Sequence, residues 1–264
     1  MRLFTDASID AENTIKLNGM KMKFLKRIFL IIGIATVAGV SASVADITEK
    51  KESIHKPYGP YEKYIKRGLD AFLATGALIV LSPVLLIIAI LVRIKLGSPV
   101  FFKQERPGKD TKIFKLYKFR TMTDERDDKG YLLPDADRLT KFGAYLRLTS
   151  LDEIPELFNI VIGEMSIIGP RPLLVQYLPY YTTTEKHRHD VRPGLSGLAQ
   201  VNGRNLVKWD QRLAYDVEYV NKITFLGDVK IVLQTIKKVF AKEDIAVDTD
   251  TVETYLDKER GVIH

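Results

Sequence analysis

Apolar positions along the chain follow several patterns, and each predicts a different element. Residues 28–45 form an uncharged run behind the basic cluster Lys21, Lys23, Lys26 and Arg27. The run reads either as a short transmembrane helix or as a signal-peptide core with a small-residue exit at Ser43-Val44-Ala45, and an unnatural upstream start is a third reading. Residues 46–62 are a polar linker. Residues 68–92 are a second apolar run, long enough to span a bilayer but interrupted at its middle by Ser82-Pro83. Pro83 removes a helical hydrogen bond, and the Ser82 hydroxyl is expected to bond back to the residue 78 carbonyl. Each half then covers only roughly 14–21 Å, short of a ~30 Å hydrocarbon core. Lys63, Lys66 and Arg67 precede the run, and Arg93, Lys95, Lys103 and Arg106 follow it. Positive charge at both ends favours a kinked, re-entrant helix with both ends on the cytoplasmic side, and a straight span with a tolerated kink is the alternative.

Beyond the second run the period changes. Residues 98–122 alternate as strands do, with a turn at Arg106-Pro107-Gly108-Lys109-Asp110, so Lys118 and Arg120 should project to one side and Phe119 to the other. Residues 139–148 predict a short amphipathic helix, and residues 207–222 another. From Leu226 onward, Val229, Val232, Leu233, Ile236, Val239 and Phe240 recur at helical spacing with lysines outside the stripe. Periodicity does not decide whether that stripe meets an anionic membrane or the protein core. The last twenty or so residues are acidic and expected to be loosely held.

Between these elements lies the stretch with the richest chemistry, Leu148-Thr149-Ser150-Leu151-Asp152-Glu153. Ser150 three residues before Glu153 has the form of a capping box, which predicts a helix over residues 153–162 with two carboxylates at its positive end. Taken alone, that explains both acids structurally. Their neighbours add to it: Arg147 precedes the cap, and Arg171 is fixed between Pro170 and Pro172, a setting suited to bidentate phosphate recognition. A carboxylate held ionised at a helix N-terminus can act as a nucleophile. His187 and His189 lie two apart in a charged, helical region, where a structural role outweighs metal ligation.

Composition narrows the function. The chain of 264 residues allows one catalytic domain plus accessory segments. It has no Cys, which excludes disulfides and thiolate metal sites. A formal net charge of +7 points to an anionic partner, and the two apolar runs favour a membrane or a phosphorylated substrate over nucleic acid. No Gly-x-Gly-x-x-Gly or Walker loop is present, against a dinucleotide or ATP enzyme.

From about Tyr61 to Ile245 the chain resembles the monotopic polyprenyl-phosphate phosphoglycosyl transferases, the bacterial sugar transferase family. The resemblance rests on Lys66-Arg67-x-x-Asp70, Ser82-Pro83, Lys118-Phe119-Arg120-Thr121-Met122, Leu151-Asp152-Glu153, Gly169-Pro170-Arg171-Pro172, Arg192-Pro193-Gly194 and Gln200-Val201-Asn202-Gly203-Arg204. It looks closest to the short, single-domain members that start protein N-glycosylation or related glycan assembly. The resemblance implies an α+β fold: a compact, mostly helical cytoplasmic domain with a small β-hairpin, carried on a re-entrant helix in the bacterial inner membrane. In these terms residues 1–60 are an extension, 61–97 the membrane helix with Lys66, Arg67, Asp70, Ser82 and Pro83, 98–245 the catalytic domain and 246–264 an acidic tail. The implied reaction transfers a sugar-1-phosphate from a UDP-sugar, an N-acetylated one in the short members, to undecaprenyl phosphate, releasing UMP and requiring Mg²⁺. Asp152 would be the nucleophile and Glu153 a Mg²⁺ ligand. Lys118, Arg120, Arg147, Arg171, Gln200, Asn202 and Arg204 are the candidate substrate-binding residues, and downstream glycosyltransferases are possible partners. Two rival classes remain, a transferase that moves only the sugar and releases UDP, and a non-enzymatic membrane-anchored scaffold.

Overall fold

The computed structural model describes residues 55–203, 207–241 and 255–261. The expected apolar element at 28–45, Arg204 and most of the acidic tail lie outside them. The described residues combine helices with two small sheets, in keeping with the α+β expectation.

The longest element is α1, Lys66–Lys95, entered through a π-helical turn at Tyr61–Ile65. It stays helical through Pro83, and the Ser82 hydroxyl donates to the Ile79 carbonyl at 2.8 Å, three residues back and not four as expected. Among the described residues it is the one helix long and apolar enough to cross a membrane. One stripe of α1, at spacings of three and four, packs on the rest of the protein over its full length. Ala74, Ala77, Leu78 and Leu81 meet Leu157, Ile160 and Met165, while Leu85, Ile88, Val92 and Leu96 meet Phe119 and Leu146. The remaining circumference, including Phe72, Ile79, Val80, Ile87, Ile90 and Ile94, is exposed.

The start of α1 is pinned by polar groups. Lys66 Nζ lies 2.6 Å from Asp228 Oδ2, which also accepts from Tyr61 Oη at 2.8 Å. Asp70 accepts from the Ser166 hydroxyl, and Arg67 donates to the Ile160 and Val161 carbonyls at 2.7 and 2.9 Å. Lys66 and Arg67, expected as part of a basic membrane flank, are thus partners of the folded body, while Lys63 stays exposed. A buried cation needs such partners, since the desolvation of an unpaired one is costly.

The predicted hairpin is present as β1, Phe101–Pro107, and β2, Ile113–Phe119, antiparallel with Phe101 opposite Phe119 and Phe102 opposite Lys118. Phe114 and Leu116 face α1 and the helix after the acid pair, whereas Phe119 on the other face packs against Val92. Helix α2, Lys141–Leu148, is capped by Thr140, whose hydroxyl accepts from the Gly143 amide at 3.0 Å. Gly143 is required there, because a Cβ would sit 1.8 Å from the Thr121 carbonyl oxygen. That close approach brings the first turn of α2 to the exit of β2.

Helix α3, Glu156–Ile162, begins later than the capping-box reading placed it. Ser150 adopts a left-handed conformation (φ 54°, ψ 18°) and makes no side-chain cap bond. A capping side chain reaches the N2 or N3 amide only from extended backbone, which Ser150 does not have. Leu151–Glu153 instead form one 3₁₀ turn, in which the Glu153 amide donates to the Ser150 carbonyl at 3.2 Å, and Pro155 then opens α3. Strands β3, Ser166–Ile168, and β4, Gly194–Ser196, pair in parallel.

Helices α4, Trp209–Asn221, and α5, Phe225–Ala241, follow as predicted. The apolar residues of α5 split between two surroundings: Ile231 and Val232 pack on the core, whereas Phe225, Leu226, Val229, Leu233 and Ile236 stay exposed. The expectation of a loosely held tail fails for residues 255–261. There α6, Leu256–Gly261, buries Leu256 in a cluster with Tyr177, Trp209 and Leu213, and Arg260 pairs with Glu185 at 2.7 Å. A buried leucine and a paired arginine give this segment what an acidic composition alone does not predict.

Candidate active site

The 3₁₀ turn at Leu151–Glu153 is fastened from below and open above. Leu151 and Ile154 pack into the cluster formed by Val92, Leu96 and Phe119, so the position of the acid pair is set by the end of α1. Asp152 and Glu153 face a single long cleft of about 1080 Å³ whose walls are β1, β2, the loop after β2 and the Gly169-Pro170-Arg171-Pro172 turn. The left-handed Ser150 that makes this turn costs a non-glycine residue ~1–2 kcal/mol, strain of the kind that concentrates at functional sites.

Two cations converge on one oxygen of Glu153. Lys118 Nζ is 2.6 Å and Arg171 Nη2 2.8 Å from Oε1, and Lys118 also reaches Glu156 Oε1 at 3.2 Å. Burial works to raise the Glu153 pKa, but Arg171 and Lys118 together outweigh it and hold the carboxyl well below the usual carboxylate range. Asp152 differs. Burial, followed by the Glu153 charge, pushes its carboxyl up to about 6 against the pull of Lys118, Arg147 and Arg171. Burial and the Glu153 charge likewise raise Glu156. The pair is therefore asymmetric, with Glu153 a fixed anion and Asp152 a less stabilised and more basic carboxylate.

The donor set suits a hard divalent cation of modest demand. Both bonds to Glu153 land on Oε1, and Oε2 has no hydrogen bond from a described residue. No group of three His, Asp or Glu able to cage a metal occurs among the described residues. Mg²⁺ is commonly held by only one or two carboxylates with substrate phosphates and water completing the shell, which Glu153 and the adjacent Asp152 can provide.

The structure gathers most of the expected binding residues around the cleft. Lys118, Arg120, Arg147, Arg171 and Gln200 all line it. Arg147 donates from Nε to Thr121 Oγ1 at 3.1 Å. Arg120 is occupied structurally, donating to the Met122 and Ser98 carbonyls at 2.8 and 2.9 Å. Gln200 donates to the Leu195 carbonyl at 3.1 Å. Asn202 lies elsewhere: it is exposed, bonds back to the Leu198 carbonyl at 2.9 Å and does not line the cleft. Arg204 falls outside the described residues. His187 pairs with Asp190 at 2.8 Å, and His189 is buried, where burial first and Arg188 next lower its pKa to about 3.

Arg188, Asp216 and Arg106 also line the cleft, and none was among the expected binding residues. Arg188 bonds Asp216 Oδ2 through Nε at 3.1 Å and Nη2 at 2.8 Å, and both side chains are almost fully buried. Arg106 donates to the Pro172 carbonyl at 3.3 Å; burial, then repulsion from Arg171, lower it to about 10. Arg188 is adjacent in sequence to both histidines, the residues that drew attention there. Its partner stands 28 positions away on α4, and one sequence carries no signal of that pairing.

The sequence has known relatives. It is 51% identical over 181 residues to "Uncharacterized sugar transferase EpsL" of Bacillus subtilis (strain 168), covering 69% of this chain and 90% of that protein. It is 37% identical over 216 residues to "Exopolysaccharide production protein ExoY" of Sinorhizobium fredii, covering 75% of this chain and 94% of that one. To the "UDP-glucose:undecaprenyl-phosphate glucose-1-phosphate transferase" of Klebsiella pneumoniae it is 40% identical over 194 residues, 70% of this chain but only 42% of that protein's length. The profile described as "Bacterial sugar transferase" matches residues 61–242, the span that contains α1, the hairpin, the acid pair and the basic cleft, so the chain belongs to the bacterial sugar transferase family.

Proposed function

We propose that this chain transfers a sugar-1-phosphate from a UDP-sugar to undecaprenyl phosphate and releases UMP. The observation that carries the reading is the acid pair itself. A basic carboxylate, Asp152, sits beside a fixed anion, Glu153, in a cleft walled by Lys118, Arg147 and Arg171. An Asp152 oxygen bonds the β-phosphorus of the donor as the bond from that phosphorus to the bridging oxygen breaks, and UMP leaves with the bridging oxygen and its electron pair. The acceptor phosphate oxygen then attacks the same phosphorus, and the bond to Asp152 breaks to restore the carboxylate. Arg171, Arg147 and Lys118 offset the charge that gathers on the phosphoryl oxygens in both steps. Mg²⁺, when bound at Glu153, supplies further neutralisation of the diphosphate.

The membrane placement follows from α1. A helix of 30 residues is roughly 45 Å long, enough to cross, yet both its ends and its middle are fastened to the same body. This supports a helix that enters and leaves on one face, bending at Ser82-Pro83, with the catalytic domain on the cytoplasmic side of the inner membrane. The exposed stripe of α5 adds a second apolar surface, and Lys66 joined to Asp228 ties that helix to the start of α1.

The relatives whose names specify a sugar name glucose or galactose, in contrast to the N-acetylated sugar that the short members suggest. Relatives named for exopolysaccharide production favour a polysaccharide over a glycoprotein product, to be extended by downstream glycosyltransferases. The test is a panel of UDP-glucose, UDP-galactose and UDP-N-acetylated sugars with undecaprenyl phosphate, scored for nucleotide product. UMP supports the proposal and names the sugar; UDP would mean that only the sugar moves.

A further inference from the structure

Arg260 repeats near the surface a connection that Arg188 makes inside. Arg188, in the 3₁₀ turn His187–His189, is joined to Asp216 on α4. Arg260, on α6, donates from Nη1 to Glu185 Oε2 at 2.7 Å, from Nη2 to Glu185 Oε1 at 2.8 Å, and to Asp210 Oδ1. Glu185 precedes Arg188 by less than one helical turn, and Asp210 precedes Asp216 on the same helix, so both arginines tie the same two segments of chain. The Glu185 oxygen that takes Arg260 Nη1 also accepts from the Thr182 amide at 2.8 Å, in the capping box of the short helix Thr183–Lys186 that leads into Arg188. Arg260 Nη1 donates to the Tyr180 carbonyl as well, at 2.9 Å. A guanidinium forked on a carboxylate fixes direction as well as distance.

The apolar side of α6 bears on the same wall. Leu256 is completely buried among Leu173, Tyr177, Tyr181, Trp209 and Leu213. Leu173 lines the cleft, and so does Arg212, whose guanidinium lies 4.4 Å over the Trp209 ring. Tyr181 Oη accepts from Arg188 Nη1 at 3.5 Å. The contacts of α6 therefore converge behind Arg188, which holds the Arg171 carbonyl, and not on the acid pair itself. This helix lies beyond residues 61–242, the span of the family match.

We propose that Leu256 and Arg260 are positioning residues: docked α6 is a strap that keeps Arg188, and through it Arg171, aligned for the phosphoryl group. This rests on the transferase reading above, and the first readout needs no reaction. In the full chain carrying Arg260→Ala, without substrate, amide hydrogen exchange should speed up in residues 187–192 and 169–173 and stay unchanged in the hairpin. Unchanged exchange at 169–173 overturns the strap. In turnover, kcat per folded enzyme should fall roughly 10- to 100-fold, the cost of a misplaced group, while both KM values stay within about twofold. Leu256→Ala, which loosens α6 from its apolar side, should reproduce both effects, and Arg260→Lys, which keeps the cation without the fork, should show them more weakly. With Arg171→Ala already in place the strap has nothing left to aim, so adding Arg260→Ala should change kcat by less than about twofold. An equal fall in both backgrounds, or a lower melting temperature with kcat per folded enzyme unchanged, overturns the positioning role. UDP in place of UMP would overturn the reaction and leave the exchange result standing.

Discussion

Arg188 donates from Nη2 to the Arg171 carbonyl at 2.7 Å, while the same guanidinium is locked on Asp216. The backbone that aims Arg171 at Glu153 is therefore held by a buried ion pair as well as by its two prolines. Arg188→Ala leaves Asp216 buried without its partner, which costs ~3–5 kcal/mol, so a large fall in melting temperature is expected. The paired replacement Arg188→Met with Asp216→Leu should recover much of the stability, since an apolar pair can substitute for a buried ionic one. Turnover should stay low in the paired variant. If turnover returns with stability, the ion pair serves the fold alone.

Arg171 itself predicts the opposite balance. Its side chain is 40% exposed, and among the described residues it pairs with Glu153. Glu153 keeps Lys118 at 2.6 Å when Arg171 is removed, so Arg171→Ala should lower the melting temperature by less than Arg188→Ala does. Loss of a charge-stabilising donor at a reacting phosphoryl group should lower kcat by ~100–1000-fold. Melting curves beside kcat values check this, and a stability loss as large as that of a core truncation would make Arg171 structural.

How much of this was legible depends on the range of the signal. Alternation through Lys118-Phe119-Arg120 correctly turned Phe119 inward, because strand period is a local property. The apolar spacing of α5 gave the helix but not the division between core-facing Ile231 and exposed Leu233, which depends on what packs against it. Ser150 misled for a related reason. Ser-x-x-Glu is a local pattern, and the anchoring of Leu151 and the start at Pro155 overrode it. Lys66 and Arg67 read as a membrane flank because their partners, Asp228, Ile160 and Val161, lie far along the chain.

The fastening of both ends of α1 predicts a topology. The chain has no Cys, so single probes can be placed at Lys63 and Lys103, exposed positions on either side of the helix. Both Lys63→Cys and Lys103→Cys should label with an impermeant maleimide only after the cytoplasmic face is opened. Labelling from opposite sides would establish a crossing helix. Ser82→Ala with Pro83→Ala, which frees α1 to straighten, should shift part of the population toward that pattern.

Asp152 gives the sharpest contrast between a structural and a chemical role. Its pKa in the fold is about 6, above the ordinary 3.8, with burial the main cause and the Glu153 charge the second. The ionised form therefore works against the fold at pH 7, and that penalty fades to nothing as the pH falls through about 6 and below 3.8. Asp152→Asn, nearly the same in shape, should accordingly raise stability at pH 7 by ~1–3 kcal/mol. A carboxylate that merely supported the helix start would give the reverse sign, a loss of ~0.5–2 kcal/mol. Activity should move the other way. Turnover of the wild type should fall roughly tenfold between pH 7 and pH 5 as the nucleophile is protonated, and Asp152→Asn should lose orders of magnitude at every pH. With UDP-sugar and no lipid, the wild type should release about one UMP per active site and retain the phospho-sugar on Asp152, a burst expected of a covalent intermediate. Should Asp152→Asn turn over near the wild-type rate, the lipid phosphate attacks the donor directly and Asp152 holds no intermediate.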